Sequence, residues 1–239
     1  MIAILKKEFN SFFASPIAYL VIGVFLVING LFLWVFEDDF NILNAGFADI
    51  NSFFYLSPWV LLFLIPAITM KSFSEEFQSG TIETLLTKPI SLWKVVLGKF
   101  WSVFLLVTVA IIPTFVYVYS VSELGNPIGN IDLGSTVASY IGLLFLASSY
   151  AAVGLFSSTL SKNQLVSFLI AVILTFFLFY GFDAIASLFG SNGYTIQLLG
   201  FNEHFKSFSR GVIDTKDIIY FISITFFFLF LTKQYLSND

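Results

Sequence analysis

The chain has no cysteine, a single histidine and little charge, with 11% of its 239 residues being Asp, Glu, Lys or Arg. Without cysteine there is neither a disulfide nor a thiolate metal site, and one histidine cannot form a two-histidine metal pair. Soluble chains carry roughly 25% charged residues, so a chain this poor in charge cannot cover a water-facing surface. Also missing are a Gly-x-x-x-x-Gly-Lys-Ser/Thr phosphate loop, a His-Glu-x-x-His pair and a Gly-x-Ser-x-Gly elbow. ATP binding by a phosphate loop and the two hydrolase chemistries lose their residues, leaving no catalytic candidate and no directly bound cofactor or metal.

What is present is apolar: 58% of residues are hydrophobic, 32 of them Phe, and the mean hydropathy is +0.92. At about 20 residues per crossing, the length admits about six helices and no soluble domain. The expected fold is an all-α polytopic membrane protein, one domain over 1–239, with spans near 16–36, 53–70, 100–121, 133–160, 165–182 and 218–232. The first apolar run has no small-residue cleavage site after it and reads as a retained span. Before it, Ile2, Leu5, Phe9 and Phe12 share a helical face with Lys6 and Lys7 elsewhere, the pattern of an interfacial helix rather than a frayed basic end. Pro58 and Pro66 mark expected irregularities in span two. In span four Gly134, Ala138 and Gly142 step by four, as do Ala147 with Ala151 and Ser148 with Ala152. Such small-residue ridges let backbones approach closely in lipid, so this span should be the most buried. Phe176 to Phe179 reads as lipid-facing bulk.

None of the six expected cores holds an ionisable residue, which argues against proton or sodium coupling. Asp183, at an outer end, reads as a solvated acid. Residues 183–200 are semi-apolar, broken by Gly190, Asn192 and Gly193, and read as a re-entrant or interfacial piece. Beyond it Phe201, Phe205 and Phe208 line one face of a short helix that Gly211 can terminate, and Asp214 can cap span six. His204 reads as a polar residue stacking near Phe205 and Phe208, and Arg210 as a partner for Asp214.

The only long polar interruption in the first half is Lys71 to Lys99. Gly80 supplies a hinge, Thr81 a cap for a short second helix, and Glu83 sits in its first turn, where the macrodipole favours an acid. Ile82, Leu85 and Leu86 share a face; Pro89 ends the helix and Ser91 can cap the next. An ordered polar knob with a greasy face, held between two spans, is a docking element.

The run Glu75-Glu76-x-x-x-Gly80-Thr81-Ile82-Glu83-x-Leu85-Leu86, followed by Lys88-Pro89-Ile90-Ser91 and Gly98-Lys99, resembles the coupling segment of type-2 ABC exporter permeases. The pattern His204-Phe205-x-x-Phe208-x-Arg210-Gly211 through Asp214 and Asp217 resembles their segment before span six, and the whole layout is similar to the gliding-motility branch. The resemblance implies a separate ATPase subunit that holds ATP and Mg2+, and a second permease copy or a related permease chain, with a further motility component as a possible partner. The alternatives are the same architecture serving lipid, glycan, drug or metal-maturation export, and a scaffold without transport. With both termini inside, eight of the 11 basic residues lie on the cytoplasmic side against three outside, which places the termini and the central stretch in the cytoplasm. The net charge of −4 then reflects an acidic outer face, and no nucleic acid is implied.

Overall fold

The computed structural model describes residues 1–86, 90–190 and 193–238, with side chains described outside 84–86 and 238. Among these residues there is no strand. The helices are α1 (Ile2–Ala14), α2 (Ile17–Trp34), α3 (Asn51–Thr69), α4 (Ser74–Ser79), α5 (Thr81–Leu86), α6 (Leu92–Ile111), α7 (Phe115–Leu124), α8 (Leu133–Thr159), α9 (Gln164–Phe176), α10 (Phe182–Ser187), α11 (Tyr194–Gln197), α12 (Phe201–Ser209) and α13 (Thr215–Asn238). Among the described residues, six helical stretches are long and apolar enough to cross a membrane: α2, α3 with α4, α6 with α7, α8, α9 with α10, and α13. The six-span layout holds, but several spans extend past the expected limits. Span three starts at Leu92 rather than near 100, and span five runs through a wide π turn at Phe177–Gly181 to Ser187 rather than stopping at 182.

α8 is the axis of the bundle and the most buried span, touched by α3, α6, α9, α12 and α13. Small side chains make this possible. A methyl group on Gly154 would collide with Thr69 of α3, and one on Gly142 would lie 2.5 Å from the Cβ of Phe208 in α12. Ala138, Ala147, Ala151 and Ala152 are buried, as the ridge pattern requires. Gly134 is not part of it: it is exposed, and only the Asp132 carboxylate of its own turn lies near. Ser148 and Ser149 instead reach Thr225 of α13 at 3.2 and 3.1 Å, so hydroxyls satisfy one another where no water is available.

Both prolines of α3, expected to mark irregularities, lie inside one helix that runs from Asn51 to Thr69. Asn29 of α2 donates to the Phe25 carbonyl at 2.8 Å and accepts from Ser57, the residue before Pro58, at 3.1 Å. Pro113 does break its span, into a single tight turn at Ile112–Thr114, where the Thr114 hydroxyl meets Tyr140 at 3.0 Å.

The helix α1 packs against α6 and α2. Ile4 does the seating: a Cβ on Gly98 would come within 2.9 Å of it, while Ile2 is exposed. Leu5, Phe9 and Phe12 are half-buried. In the Phe-rich part of span five, Phe176 and Phe177 are exposed, but Phe179 is buried against Tyr150 and Trp59.

Gly154→Val and Gly142→Val should each destabilise the protein by about 1–3 kcal/mol through overpacking, whereas Gly134→Ala should change stability by less than about 0.5 kcal/mol. Thermal unfolding of the three variants in one detergent separates the packing glycines from the free one.

Candidate coupling site

At the end of the bundle that carries α1, the chain leaves α3 through a turn and forms a knee. α4 ends at Gly80, whose φ of +70° is left-handed backbone that a side chain would strain. α5 begins directly after it. The expected hinge is therefore present, while the expected caps are not. Thr81 is already the first helical residue, and its hydroxyl meets Ser79 at 2.9 Å. Ser91 occupies the cap position of α6 without a side-chain bond; its carbonyl accepts from the Lys94 amide at 2.9 Å. Glu75, Glu83 and Thr81 are exposed and Ile82 is buried. Lys88 and Pro89, and the side chains of Leu85 and Leu86, lie outside the described residues.

Glu76 turns inward to Lys99 of α6. This lysine is only 3% exposed. Its ammonium donates to the Ser72 carbonyl at 2.6 Å, to Glu76 Oε1 at 2.8 Å and to Glu8 Oε1 at 3.4 Å, above the Phe73 ring at 5.0 Å from its centre. Beside it a polar cleft of about 460 Å³ opens between α1, the α3–α4 turn and α6, lined by Lys7, Ser11, Lys71, Glu75 and Ser79. A span beginning near residue 100 leaves Lys99 outside the helix and hides this centre. With the helix starting at Leu92, Lys99 lies two turns inside it, where an unpaired ammonium would be costly.

The opposite end of the bundle holds a second buried pair. His204 Nδ1 lies 2.6 Å from Asp217 Oδ1, and its Nε2, 2.9 Å from the Leu198 carbonyl, must carry a hydrogen, since a carbonyl only accepts. The imidazole stacks on Tyr220 at 3.8 Å rather than on Phe205 or Phe208. Phe201, Phe205 and Phe208 are all buried, and Gly211 with a φ of +79° follows the end of α12. Asp214 does cap α13, through the Lys216 amide at 3.0 Å, and that bond, followed by the Lys216 side chain, holds its carboxyl below the usual carboxylate range. Arg210 is exposed and, among the described residues, has no ion pair; Asp214 pairs with Lys216 at 3.2 Å instead. Asp183 is not solvated either. It is 14% exposed, is hydrogen-bonded by Asn202 and lies 3.8 Å from Lys206, so 183–187 completes span five.

An apolar groove of about 490 Å³ between α6, α8 and α13 carries Trp101, Phe104, Phe145 and Phe226, and its two hydroxyls, on Ser148 and Thr225, bond each other. It offers no polar contact for recognition. No group of three or more His, Asp or Glu suited to a metal occurs among the described residues.

The architecture is that of a bundle with a polar knee at one end, and a family model described as "ABC-2 family transporter protein" matches residues 2–237. The chain belongs to the ABC-2 family. The match spans almost the whole chain, so the bundle, the α1 helix and the knee all lie within the matched residues. This ABC-2 protein is a multi-pass membrane subunit of an ABC transporter, and the family's membrane subunits are not themselves catalytic. No curated protein matches the chain.

Removing one member of the His204–Asp217 pair leaves the other buried without its partner. His204→Ala or Asp217→Ala should cost this ABC-2 protein about 3–5 kcal/mol. Arg210→Ala, at an exposed and unpaired side chain, should cost less than about 0.5 kcal/mol, again by thermal unfolding.

Proposed function

We propose that the chain is the permease subunit of a type-2 ABC exporter of the gliding-motility kind, similar to GldF, and that the α4–Gly80–α5 knee receives the movement of a separate ATPase subunit. In this reading the termini and the knee face the cytoplasm from the inner membrane. ATP and Mg2+ are held by the ATPase, and two permeases, identical or related, enclose the path. A further component of the motility machinery joins the same assembly. ATP closure of two ATPase subunits presses on the knees and separates the spans, so the permease contributes mechanics rather than bond chemistry.

The observation that carries this reading is the knee itself. Exposed Glu75, Thr81 and Glu83 project from one end of the bundle, while Gly80 in left-handed geometry sets the angle between two short helices and Glu76 ties them to a span. Helices of six residues cannot persist alone in water, so their order comes from the bundle beneath. A stiff polar protrusion without catalytic groups suits reception of force. The gliding-motility assignment rests on the sequence resemblance of the knee and of the segment before span six.

Gly80→Pro, which cannot take a positive φ, and Glu83→Arg, which reverses an exposed charge, should each weaken ATPase association by about tenfold or more, roughly 1.4 kcal/mol, with membrane insertion intact. Co-purification from solubilised native membranes reads this directly. Arg210→Ala, an exposed change at the far end of the bundle, should leave association unchanged. Retention of the ATPase by both knee variants would overturn the assignment of the docking element.

A further inference from the structure

A lysine ammonium has three hydrogens in a tetrahedral array, and those of Lys99 meet three acceptors on three different segments. Glu8 belongs to α1, Ser72 to the turn leaving α3, and Glu76 to α4, while the lysine stem belongs to α6. The Phe73 ring lies beneath the charge, and one residue earlier Gly98 receives Ile4 of α1 against bare backbone. Every donor is used, and the side chain is almost wholly buried. Two carboxylates face one cation, so the cluster holds together only around the ammonium. A planar guanidinium cannot reproduce this three-way geometry even though it carries the same charge.

We propose that Lys99 is the positioning residue that joins α1, the α4 arm of the knee and span α6 into one rigid unit, so that a push on the knee moves span three and the interfacial helix together. This rests on the coupling role proposed above. α4 has six residues, and a force applied to it could otherwise dissipate by bending at the turn after Thr69. The tripod closes that route because Ser72, inside the turn, is itself one of the three acceptors. Span α6 passes the movement on through its contacts with α8 and α13.

The chain has no cysteine, so introduced cysteines carry spin labels at unique sites. Lys6, Gln78 and Lys94 are exposed and lie on α1, α4 and α6. Pairwise electron–electron distances are measured for the permease alone in lipid nanodiscs, in the native background and in Lys99→Met and Lys99→Arg. Narrow distributions for all three pairs in the native background, and a broadened Gln78–Lys94 distribution in both variants, are expected. A broad native distribution, or variants as narrow as native, would overturn the proposal whether or not an ATPase binds. In the complex with its ATPase, the native distances should stay fixed on ATP binding. Lys99→Met should keep the ATPase bound yet lose the permease's stimulation of ATP turnover, with Lys99→Arg failing to restore it. A change in the native Gln78–Lys94 distance on ATP binding, or full rescue by Arg, would also overturn it. Failure of the native permease to retain any ATPase would instead defeat the coupling role, leaving the nanodisc distances to decide the rigid unit.

Discussion

A polar group that leaves water for a membrane interior must find its partner within the protein, and nearly every distinctive feature of this bundle follows from that constraint. Lys99 meets it with three acceptors, His204 with Asp217 and a carbonyl, and Thr225 with two serines of α8. Asn29 and Ser57 do the same for each other beside a helix proline. The Lys99 and Thr225 clusters join elements distant in sequence and the other two join consecutive helices, so polar groups, scarce in this chain, help fix which helices are neighbours. Lipid chains are as apolar as leucine, so apolar contact alone would not specify those neighbours.

The two charged clusters lie at opposite ends of the same molecule and connect through α8. At one end Lys99 holds α1, α4 and α6 together; at the other His204 holds α12 against α13. Between them α8 packs against α3, α6, α12 and α13 with glycine or alanine where the backbones come closest. A closely packed interior resists continuous deformation, so in the coupling role proposed above a movement of α6 would shift α8 and its neighbours as bodies rather than being absorbed locally. That gives an ABC-2 membrane subunit without catalytic groups a physical means of relaying displacement.

Much of this was legible in the sequence because its signals are local. Apolar runs near 20 residues gave the spans, Gly80 and Gly211 gave the helix ends, and the spacing of Ala138, Gly142, Ala147 and Ala151 gave the buried ridge. What the sequence hid are pairings between distant positions. Nothing about Lys99 in isolation names Glu8, 91 residues away, as a partner, and nothing about His204 names Asp217 across the turn between α12 and α13. The charge-free cores expected from the sequence depended on where each span was judged to begin. Moving the start of span three to Leu92 and of span six to Thr215 brings Lys99 and Asp217 inside helices, and both are buried.

Three residues stand outside the roles that their types suggest. Gly134 fits the small-residue ladder, yet it is exposed in the first turn of α8, and it is the next residue, Ser135, that meets α12 through the Ser209 carbonyl. Arg210 was paired with Asp214 by proximity in sequence, but Gly211 turns the chain between them and Asp214 is engaged in capping α13 with Lys216. Thr81 fits the capping preference, yet the left-handed Gly80 starts the helix one residue earlier and leaves its hydroxyl to Ser79. For Arg210 and Thr81 a residue suited to a role by type is displaced from it by the backbone geometry of a neighbouring glycine. Residue type therefore proposes a partner, and the path of the chain decides whether the two can meet.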